Sequence, residues 1–227
     1  MRRYRYQMHA HTYPCSACSN MTPKELVEGL HAGGYSGGVI TNHFYHGNSG
    51  IDRSLTWNEF IRQYELDYIA CKKEAQKYDL DLIFGIEEVV AEGLEILCYG
   101  LTPEVLYKNP ELIECDYKLW YRIMHANDVL CLQAHPFRER YYIPNPGVLP
   151  LEFIDGIEVY NAANIEKNNK EAEEYVKAHP ELIVISGADA HYEQEVCVGG
   201  IETKKRIRNG KELVDVLRSR EYVLVKE

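Results

Sequence analysis

Short apolar runs alternate along the chain with longer stretches of helical periodicity. The short runs predict β-strands because they are rich in Val, Ile, Leu and Tyr. Several are almost continuously apolar, as strands buried on both faces are. The seven predicted strands are YRYQMH at 4–9, GGVIT at 37–41, LDLIFGIE at 80–87, EILCYG at 95–100, VLCLQAH at 129–135, GIEVYN at 156–161 and LIVISGAD at 182–189.

Helix starts can be read between most of these strands. The sequence TPKE at 22–25 is a capping box with Pro at the first helical position. The sequence TWNE at 56–59 begins a long helix that is predicted to run to about Tyr78. Further helices are predicted over 116–126, 166–178 and 211–219, the last capped by Asn209. The segment 87–100 has no helical pattern, and a turn is predicted near Glu92 and Gly93.

Strands that alternate with helices predict βαβ units and a mostly parallel sheet. With 227 residues the chain is slightly short for an eight-fold barrel, which needs roughly 250. A seven-stranded α/β barrel in one domain spanning 1–227 is therefore predicted. The loop 136–150 (PFRERYYIPNPGVLP) holds four Pro. It is either a substrate-facing loop or a rigid surface loop.

Charge and hydropathy narrow the class of protein. The formal net charge is −10, from 25 Lys and Arg against 35 Asp and Glu, which disfavours an extended nucleic-acid surface. No run of 18 apolar residues is present, so no transmembrane helix or membrane partner is expected. The first residues, MRRYRYQMHAHT, lack the apolar stretch of a secretory signal. The expected location is the cytoplasm, and the oligomeric state cannot be read.

Residues that can bind metals gather where the predicted strands end. His9 and His11 form an HxH motif that places two imidazoles on one side of a strand. The other candidates at strand ends or starts are His43, Glu87, Glu95, His135, Asp189 and His191. In a closed barrel these positions converge on one mouth, whereas an open sheet would leave some far apart. The pattern therefore favours both a barrel and a shared site.

Imidazoles and carboxylates together suit Zn²⁺, Mn²⁺ or Fe²⁺. Glu87 and Asp189 are the carboxylates expected to bridge two cations. Two adjacent metals activate water and stabilise the oxygens of an in-line displacement, which is the apparatus of phosphoryl transfer. Arg138, three residues after His135, is a candidate to pair with phosphate oxygens. Its alternative role is a surface ion pair.

The chain resembles the PHP (polymerase and histidinol phosphatase) domain family. The similarity lies in six motifs that occur in the family's order over nearly the whole chain: HAHT at 9–12, ITNHF at 40–44, GIE at 85–87, AHPFR at 134–138, GIEVYN at 156–161 and SGADAH at 186–191. This resemblance implies a distorted seven-stranded (β/α) barrel with two to three divalent transition metals, Zn, Mn or Fe.

The resemblance also implies a ligand set for each metal. One metal takes His9, His11, Glu87 and Asp189; a second shares Glu87 and adds His135 and Glu95; a third takes His43 and His191. Glu95 stands where the family usually has His, and Asn42 replaces the Asp of the usual TDH. The third metal also lacks its usual Asp or His after the HxH motif, where this chain has Cys15, Ser16, Ala17 and Cys18. Cys15 or Cys18 could substitute, but this CxxC has no partner pair that would form a zinc ribbon.

The resulting hypothesis is a cytoplasmic, metal-dependent phosphoesterase that hydrolyses a small phosphorylated molecule with metal-activated water. Arg138, His43 and His191 are the residues expected to orient the phosphate or protonate the leaving oxygen. Two alternatives stay open. One is a C–N hydrolase of amidohydrolase type on the same barrel, because a fold does not fix a reaction. The other is a non-catalytic metal-binding regulatory module.

Overall fold

The computed structural model describes residues 3–226, which form one mixed sheet surrounded by helices. In chain order the strands and α-helices are β1 (Tyr4–Gln7), α1 (Pro23–Ala32), β2 (Gly37–Ile40), α2 (Trp57–Ala75), β3 (Asp81–Ala91), β4 (Leu94–Tyr99), α3 (Pro103–Lys108), α4 (Tyr117–Ala126), β5 (Leu130–Gln133), β6 (Gly156–Asn161), α5 (Glu166–Ala178), β7 (Ile183–Gly187), β8 (Gly199–Thr203), α6 (Gly210–Ser219) and β9 (Tyr222–Lys226). Short 3₁₀ turns occupy Gln76–Tyr78, Pro110–Ile113, Leu151–Phe153 and Glu193–Glu195.

The sheet has nine strands among the described residues, in the order β7-β6-β5-β4-β3-β2-β1-β8-β9. All seven predicted strands are present, but a seven-stranded, mostly parallel sheet was wrong in number and direction. Strand β4 is antiparallel to both of its neighbours, and β8 and β9 form an antiparallel pair beside β1. The remaining four pairings are parallel.

Strand β8 was missed because it begins with two glycines, which are weak strand residues. One of these glycines is required because the backbone of β1 passes very close to it. Gly200 has a φ of +136°, and a Cβ at this position would lie 2.3 Å from the carbonyl oxygen of Tyr6. Strand β9 then pairs along β8, with Tyr222 opposite Thr203.

The two ends of the sheet approach each other and nearly close a barrel. Just beyond β1 and β7, Ala10 and Ala190 form a parallel bridge. In this bridge the N–H of His11 donates to the oxygen of Ala190 at 2.9 Å, and the N–H of Ala190 donates to the oxygen of His9 at 3.2 Å. Further along β7, the hydroxyl of Tyr222 donates to the oxygen of Val184 at 2.8 Å. Closure is therefore achieved at the carboxyl end of β1, where the HxH motif lies.

Helix boundaries follow the predicted caps. Thr22 and Thr56 both accept from the N–H three residues on and complete capping boxes with Glu25 and Glu59. Asn209 caps α6 by accepting from the N–H of Glu212 at 2.9 Å. Helix α3 was not predicted, since its six residues are too few to show a periodic pattern. Within the described residues, no helix is both long enough and apolar enough to span a membrane.

Alternation along β3 separates the site from the outer core. Ile83 and Glu87 lie on one face of this strand, and Phe84, Ile86 and Glu88 lie on the other. Phe84 and Ile86 pack in an apolar cluster with residues of α2 and α4. Ile83 belongs to a second cluster formed by strand residues and α6. Two consecutive glutamates consequently face different surroundings.

Candidate metal centre

The eight predicted ligands come together at one end of the barrel. They are His9, His11, His43, Glu87, Glu95, His135, Asp189 and His191, and all but His191 are buried. Seven of their side chains form three overlapping groups, each of which could hold a metal ion, and His135 lies beside the group that contains Glu95. The groups are His9, His11, Glu87 and Asp189; His43, Glu87 and Glu95; and His11, His43 and His191.

The first group has the four members that the resemblance implied. The Nε2 atom of His9 lies 3.1 Å from Glu87 Oε1 and 3.5 Å from Asp189 Oδ1. The Nε2 atom of His11 lies 3.3 Å from Glu87 Oε2 and 3.2 Å from Asp189 Oδ1. The two Nε2 atoms are themselves 3.1 Å apart. Four potential ligand atoms therefore surround one position.

The second group lies on the other side of Glu87. The Nδ1 atom of His43 is 3.0 Å from Glu87 Oε2 and 3.6 Å from Glu95 Oε1. The Nε2 atom of His135 is 3.1 Å from Glu87 Oε1 and 3.4 Å from Glu95 Oε2. Both oxygens of Glu87 thus face imidazoles, which is the arrangement that a bridging carboxylate needs.

Glu95 reaches this site because β4 runs against its neighbours. In an antiparallel strand the amino end, not the carboxyl end, lies at the mouth where the parallel strands finish. Glu95 pairs with Val89 in β3, two residues beyond Glu87. Glu95, near the start of β4, therefore lies beside ligands that come from the ends of parallel strands.

Hydrogen bonds alone do not account for the close spacing of these polar atoms. Each imidazole nitrogen has one hydrogen or one lone pair, yet His9 Nε2 has three polar neighbours within 3.5 Å. His43 Nδ1 and Glu87 Oε2 are buried and lie 3.0 Å apart, but neither atom makes a hydrogen bond of acceptable geometry. Two atoms bound to one tetrahedral Zn²⁺ at about 2.0–2.2 Å are separated by about 3.3–3.6 Å. The spacing and the donor set therefore fit divalent metals.

The backbone is strained at two of these ligands. His135 has a φ of +27° and Asp189 a φ of +55°, values that non-glycine residues seldom adopt. Each residue lies two positions beyond the end of the strand that brings it to the mouth. Strain of this kind persists where the surrounding structure determines the conformation, and it clusters at functional sites.

Charge pairing sets the protonation of the first group. Burial opposes a charge on His9, but Glu87, Glu158 and Asp189 outweigh burial and hold the pKa of His9 well above its usual value. Asp189 is also buried, and the cations of His9 and Arg138 hold its pKa well below the usual range. Burial and the neighbouring His43 and His191 lower the pKa of His11 to about 4. His11 is therefore neutral near pH 7 and can act as a ligand directly.

The second group carries protons that a metal must displace. Burial and the nearby Glu87 raise the pKa of Glu95 to about 8. Burial opposes a charge on His43, but Glu87 and Cys18 hold its pKa well above the usual value. A metal replaces these protons because it binds carboxylate and neutral imidazole.

Metal affinity should therefore increase with pH. Glu95 is protonated below about pH 8 in the metal-free protein, so each displaced proton should strengthen binding by about tenfold per pH unit between pH 6 and 8. Titration of the metal-free chain with Mn²⁺ by calorimetry at several pH values measures this slope. The Glu95→Gln variant should show a shallower slope. Equal affinity at pH 6 and pH 8 in the wild type would contradict the protonation scheme.

The stretch 15–18 beside the third group differs from the family pattern. Ser16, which stands in the stretch that lacks the usual ligand, lies behind His11, with its hydroxyl 2.9 Å from His11 Nδ1. This hydroxyl also donates to Asn42 and accepts from the N–H of His43. Cys15 is only 2% exposed and packs in the outer apolar core. Cys18 differs, because its sulfur lies 3.1 Å from His191 Nε2.

Sequence reasoning assigned no role to Glu158, a fully buried carboxylate on β6. Its Oε1 lies 3.1 Å from His9 Nδ1, on the side of the ring opposite the metal position. Its Oε2 accepts from the N–H of His135 at 3.1 Å and from Asn161 Nδ2 at 2.8 Å. The signal was present in the sequence as one Glu within an otherwise buried strand. Carboxylates in this position orient metal-binding histidines.

Arg138 is buried and paired within the site rather than on the surface. Its Nη2 lies 2.7 Å from Asp189 Oδ2 and donates to Asn161 Oδ1 at 2.9 Å. Its Nε donates to Asn164 Oδ1 at 2.8 Å. The alternative of a surface ion pair is therefore wrong. The contact with Arg138 fixes the carboxylate of Asp189, a candidate ligand, and phosphate binding by Arg138 stays a prediction.

The loop 136–150 lies beside the ligands. Burial raises the pKa of Tyr142, and the charges of Arg138, Glu95 and Asp189 also act on it. The loop rests on the β3–β4 turn, where a Cβ at Gly93 would lie 2.7 Å from the carbonyl oxygen of Tyr142. Tyr141 next to it is 98% exposed. These contacts support the substrate-facing alternative for this loop.

Comparison with known proteins identifies the fold. No protein-family model and no curated protein matches the chain. A two-domain protein from Bacteroides vulgatus that contains a predicted PHP-like metal-dependent phosphoesterase has a TM-score of 0.71 at 16% identity, over 100% of this chain and 65% of that chain. An amidohydrolase from Chromobacterium violaceum, solved with sulfate and no metal, has a TM-score of 0.59 at 14% identity, over 93% and 96%. Endonuclease Q from Pyrococcus furiosus has a TM-score of 0.67 at 14% identity, over 98% and 58%.

The chain thus has the fold of PHP-like metal-dependent phosphoesterases, as the motifs predicted. It spans 65% of the Bacteroides protein and just over half of endonuclease Q. At identities of 14–16% the likeness establishes the fold and leaves the reaction to be argued from the site.

The inference from net charge to partners was wrong. Endonuclease Q has also been solved in complex with a 27-mer duplex carrying an abasic lesion at the active site, and that structure matches over 96% of this chain with a TM-score of 0.66. A protein that contains this fold therefore binds a nucleic-acid duplex at its active site. A formal charge of −10 over the whole chain does not describe the electrostatic potential at one mouth of the barrel.

Proposed function

We propose that this chain is a metal-dependent phosphoesterase whose active site is the group of eight ligands at the barrel mouth. The observation that supports this proposal is the sharing of Glu87. Its two oxygens lie 3.0–3.3 Å from nitrogens of His9, His11, His43 and His135. A carboxylate placed between two sets of imidazoles is suited to join two adjacent cations.

The residues divide the work in the following way. His9, His11 and Asp189 would hold one cation with Glu87, and His135 and Glu95 would hold a second, also with Glu87. The metals, when bound, supply an activated water and stabilise the charge that develops on phosphate oxygens. The buried positions of these ligands exclude bulk water, which strengthens every electrostatic contact in the site.

Three residues are assigned to the substrate side. His43 and His191 lie toward the opening, and the side chain of His191 is 21% exposed. They would act on the substrate either directly, by holding a phosphate oxygen or protonating the leaving oxygen, or as ligands of a third cation that stabilises it. Arg138 fixes the carboxylate of Asp189 and adds a positive charge close to the bound phosphate.

The reaction is tested with the chain freed of metal and then reloaded with Mn²⁺ or Zn²⁺. The substrates are phosphomonoesters, phosphodiesters, a duplex containing an abasic site, and amides, each assayed with and without metal. Hydrolysis of at least one phosphoester should appear with metal and fall on the order of a hundredfold or more after chelation. Hydrolysis of amides alone would favour the amidohydrolase alternative. Inactivity on every substrate at full metal loading would favour a regulatory module.

A further inference from the structure

One thiol lies at the rim of the metal centre beside two imidazoles. Cys18 Sγ is 3.1 Å from His191 Nε2, and the ring of His43 lies with its centroid 6.2 Å from that of His191. Cys18 is half-buried. The stretch 15–18 that the family pattern leaves without a ligand therefore does place one donor atom against the third group.

The imidazole of His191 is held so that one nitrogen faces this thiol. His191 Nδ1 lies 2.8 Å from the carbonyl oxygen of Asp189, which fixes the hydrogen on Nδ1. The lone pair of Nε2 is then directed at Cys18. The backbone is fixed as well, because the N–H of His191 donates to Glu195 Oε2 at 2.9 Å and its carbonyl accepts from the N–H of Asn20 at 3.0 Å.

The loop that carries Cys18 is equally well determined. The N–H of Ser16 donates to Thr12 at 2.8 Å, and the N–H of Ala17 donates to Asn48 at 2.9 Å. The N–H of Ser19 donates to Ser16 at 3.2 Å, which closes a turn around Cys18. The position of the sulfur is thus imposed by backbone hydrogen bonds on both sides.

A second observation points to a ligand at this place. His43 is about nine-tenths buried, and its Nδ1 lies 3.0 Å from Glu87 Oε2 without forming a hydrogen bond there. His43, His191 and His11 each offer a ligand atom within 4.8 Å of the others. An imidazole buried without a partner needs a cation or a donor to offset its desolvation.

We propose that Cys18 binds a third divalent cation as a thiolate, together with His43 and His191. On binding, the thiol proton leaves to solvent and a sulfur lone pair forms the bond to the metal. One sulfur and two nitrogens favour Zn²⁺ over Mg²⁺ or Mn²⁺, which prefer oxygen. A sulfur and a nitrogen on one tetrahedral Zn²⁺ lie about 3.5 Å apart, and the present separation is 3.1 Å. The proposal rests on the metal centre assigned under the proposed function.

Cobalt provides the test, because a thiolate bound to Co²⁺ gives a charge-transfer band in the near ultraviolet that imidazole and carboxylate do not give. The whole chain, freed of metal, is titrated with Co²⁺. The wild type should show the band, and Cys18→Ala should lose it together with about one equivalent of bound metal. Cys115→Ser is the matched control, since Cys115 is also half-buried but its sulfur contacts the carbonyl of Leu112. The control should keep the band.

A measurement on the unmodified chain removes any dependence on the variants' folding. Alkylation of Cys18 by iodoacetamide, followed by peptide mapping, should be slowed at least tenfold by Zn²⁺, while alkylation of Cys115 should not change. Equal rates at Cys18 with and without Zn²⁺, or a band that survives in Cys18→Ala, would overturn the proposal. Phosphoester hydrolysis is measured on the same samples. Activity without the band would refute the thiolate ligand alone, whereas the band without activity would refute the proposed reaction alone.

Discussion

The Glu87→Gln variant is expected to lose hydrolytic activity by on the order of a hundredfold or more and to retain less than half of the bound metal. Glu87 is the residue common to the first two ligand groups. An amide offers one neutral oxygen where the carboxylate offered two charged ones, so it cannot bridge two cations. Elemental analysis after gel filtration gives the metal content, and kcat/KM on the best phosphoester gives the activity.

The neighbouring residue provides a matched control for this substitution. Glu88 is also fully buried on β3, but it faces the outer side, where its Oε1 lies 2.8 Å from His46 Nδ1. Glu88→Gln should keep its metal content and activity within about twofold of the wild type. Circular dichroism establishes that both variants are folded. Equal losses in the two variants would show that burial of a carboxylate, rather than metal binding, explains the effect.

The positions of most ligands could be predicted because they depend on strand ends alone. His9 and His11 are two residues apart, so an extended backbone places both imidazoles on one side. Asp189 follows a run of apolar residues that only a buried strand explains. Strand ends in a barrel meet at one mouth whatever the details of packing. The structure brings these three side chains to one point, with Nε2 to Oδ1 distances of 3.2–3.5 Å.

Strand direction could not be predicted in the same way. The apolar run that contains Glu95 looks alike in parallel and antiparallel sheets, because both faces are buried. The short turn at Glu92 and Gly93 was the available signal, since two residues can join only antiparallel strands. Because β4 runs antiparallel to β3 and β5, a Glu at its amino end lies at the mouth of the barrel. The final antiparallel pair, β8 and β9, was missed because β8 begins with two glycines, which do not give a strand pattern.

Contacts between side chains distant in sequence were also beyond prediction. Arg138 was expected on the basis of its charge to meet either phosphate or a surface acid. It instead lies against Asp189, 51 positions further along the sequence, since the bridge between Ala10 and Ala190 brings that residue to the mouth. The spacing places Ser16 where a ligand often occurs. Its hydroxyl instead lies 2.9 Å from His11 Nδ1, on the side of the ring away from the ligand group. Spacing identifies the segment, and only the fold identifies which atom faces the site.

The Glu158→Gln variant is expected to bind metal at the first position about 10–100-fold more weakly and to recover activity when excess metal is added. The carboxylate keeps the hydrogen of His9 on Nδ1, so that the lone pair of Nε2 faces the ligand group. Gln has the shape of Glu but lacks its negative charge, and this charge makes the imidazole of His9 more basic and therefore a stronger ligand. The folding of the barrel should be little changed, because the amide oxygen can still accept from the N–H of His135.

Recovery by metal distinguishes this positioning role from direct ligation. In Glu158→Gln all ligand atoms remain, so raising the Mn²⁺ or Zn²⁺ concentration should restore kcat to within about threefold of the wild type, with the loss confined to the metal concentration needed for half activity. In Glu87→Gln a ligand is missing and excess metal should not restore the rate.

A second variant tests the contact between Glu158 and His9 from the other side: at Gly187 a Cβ would lie 2.3 Å from Glu158 Oε1 and 2.6 Å from His9 Cβ. Gly187→Ala should therefore weaken metal binding as Glu158→Gln does. A Glu158→Gln variant with wild-type metal affinity would show that His9 is oriented by the backbone alone.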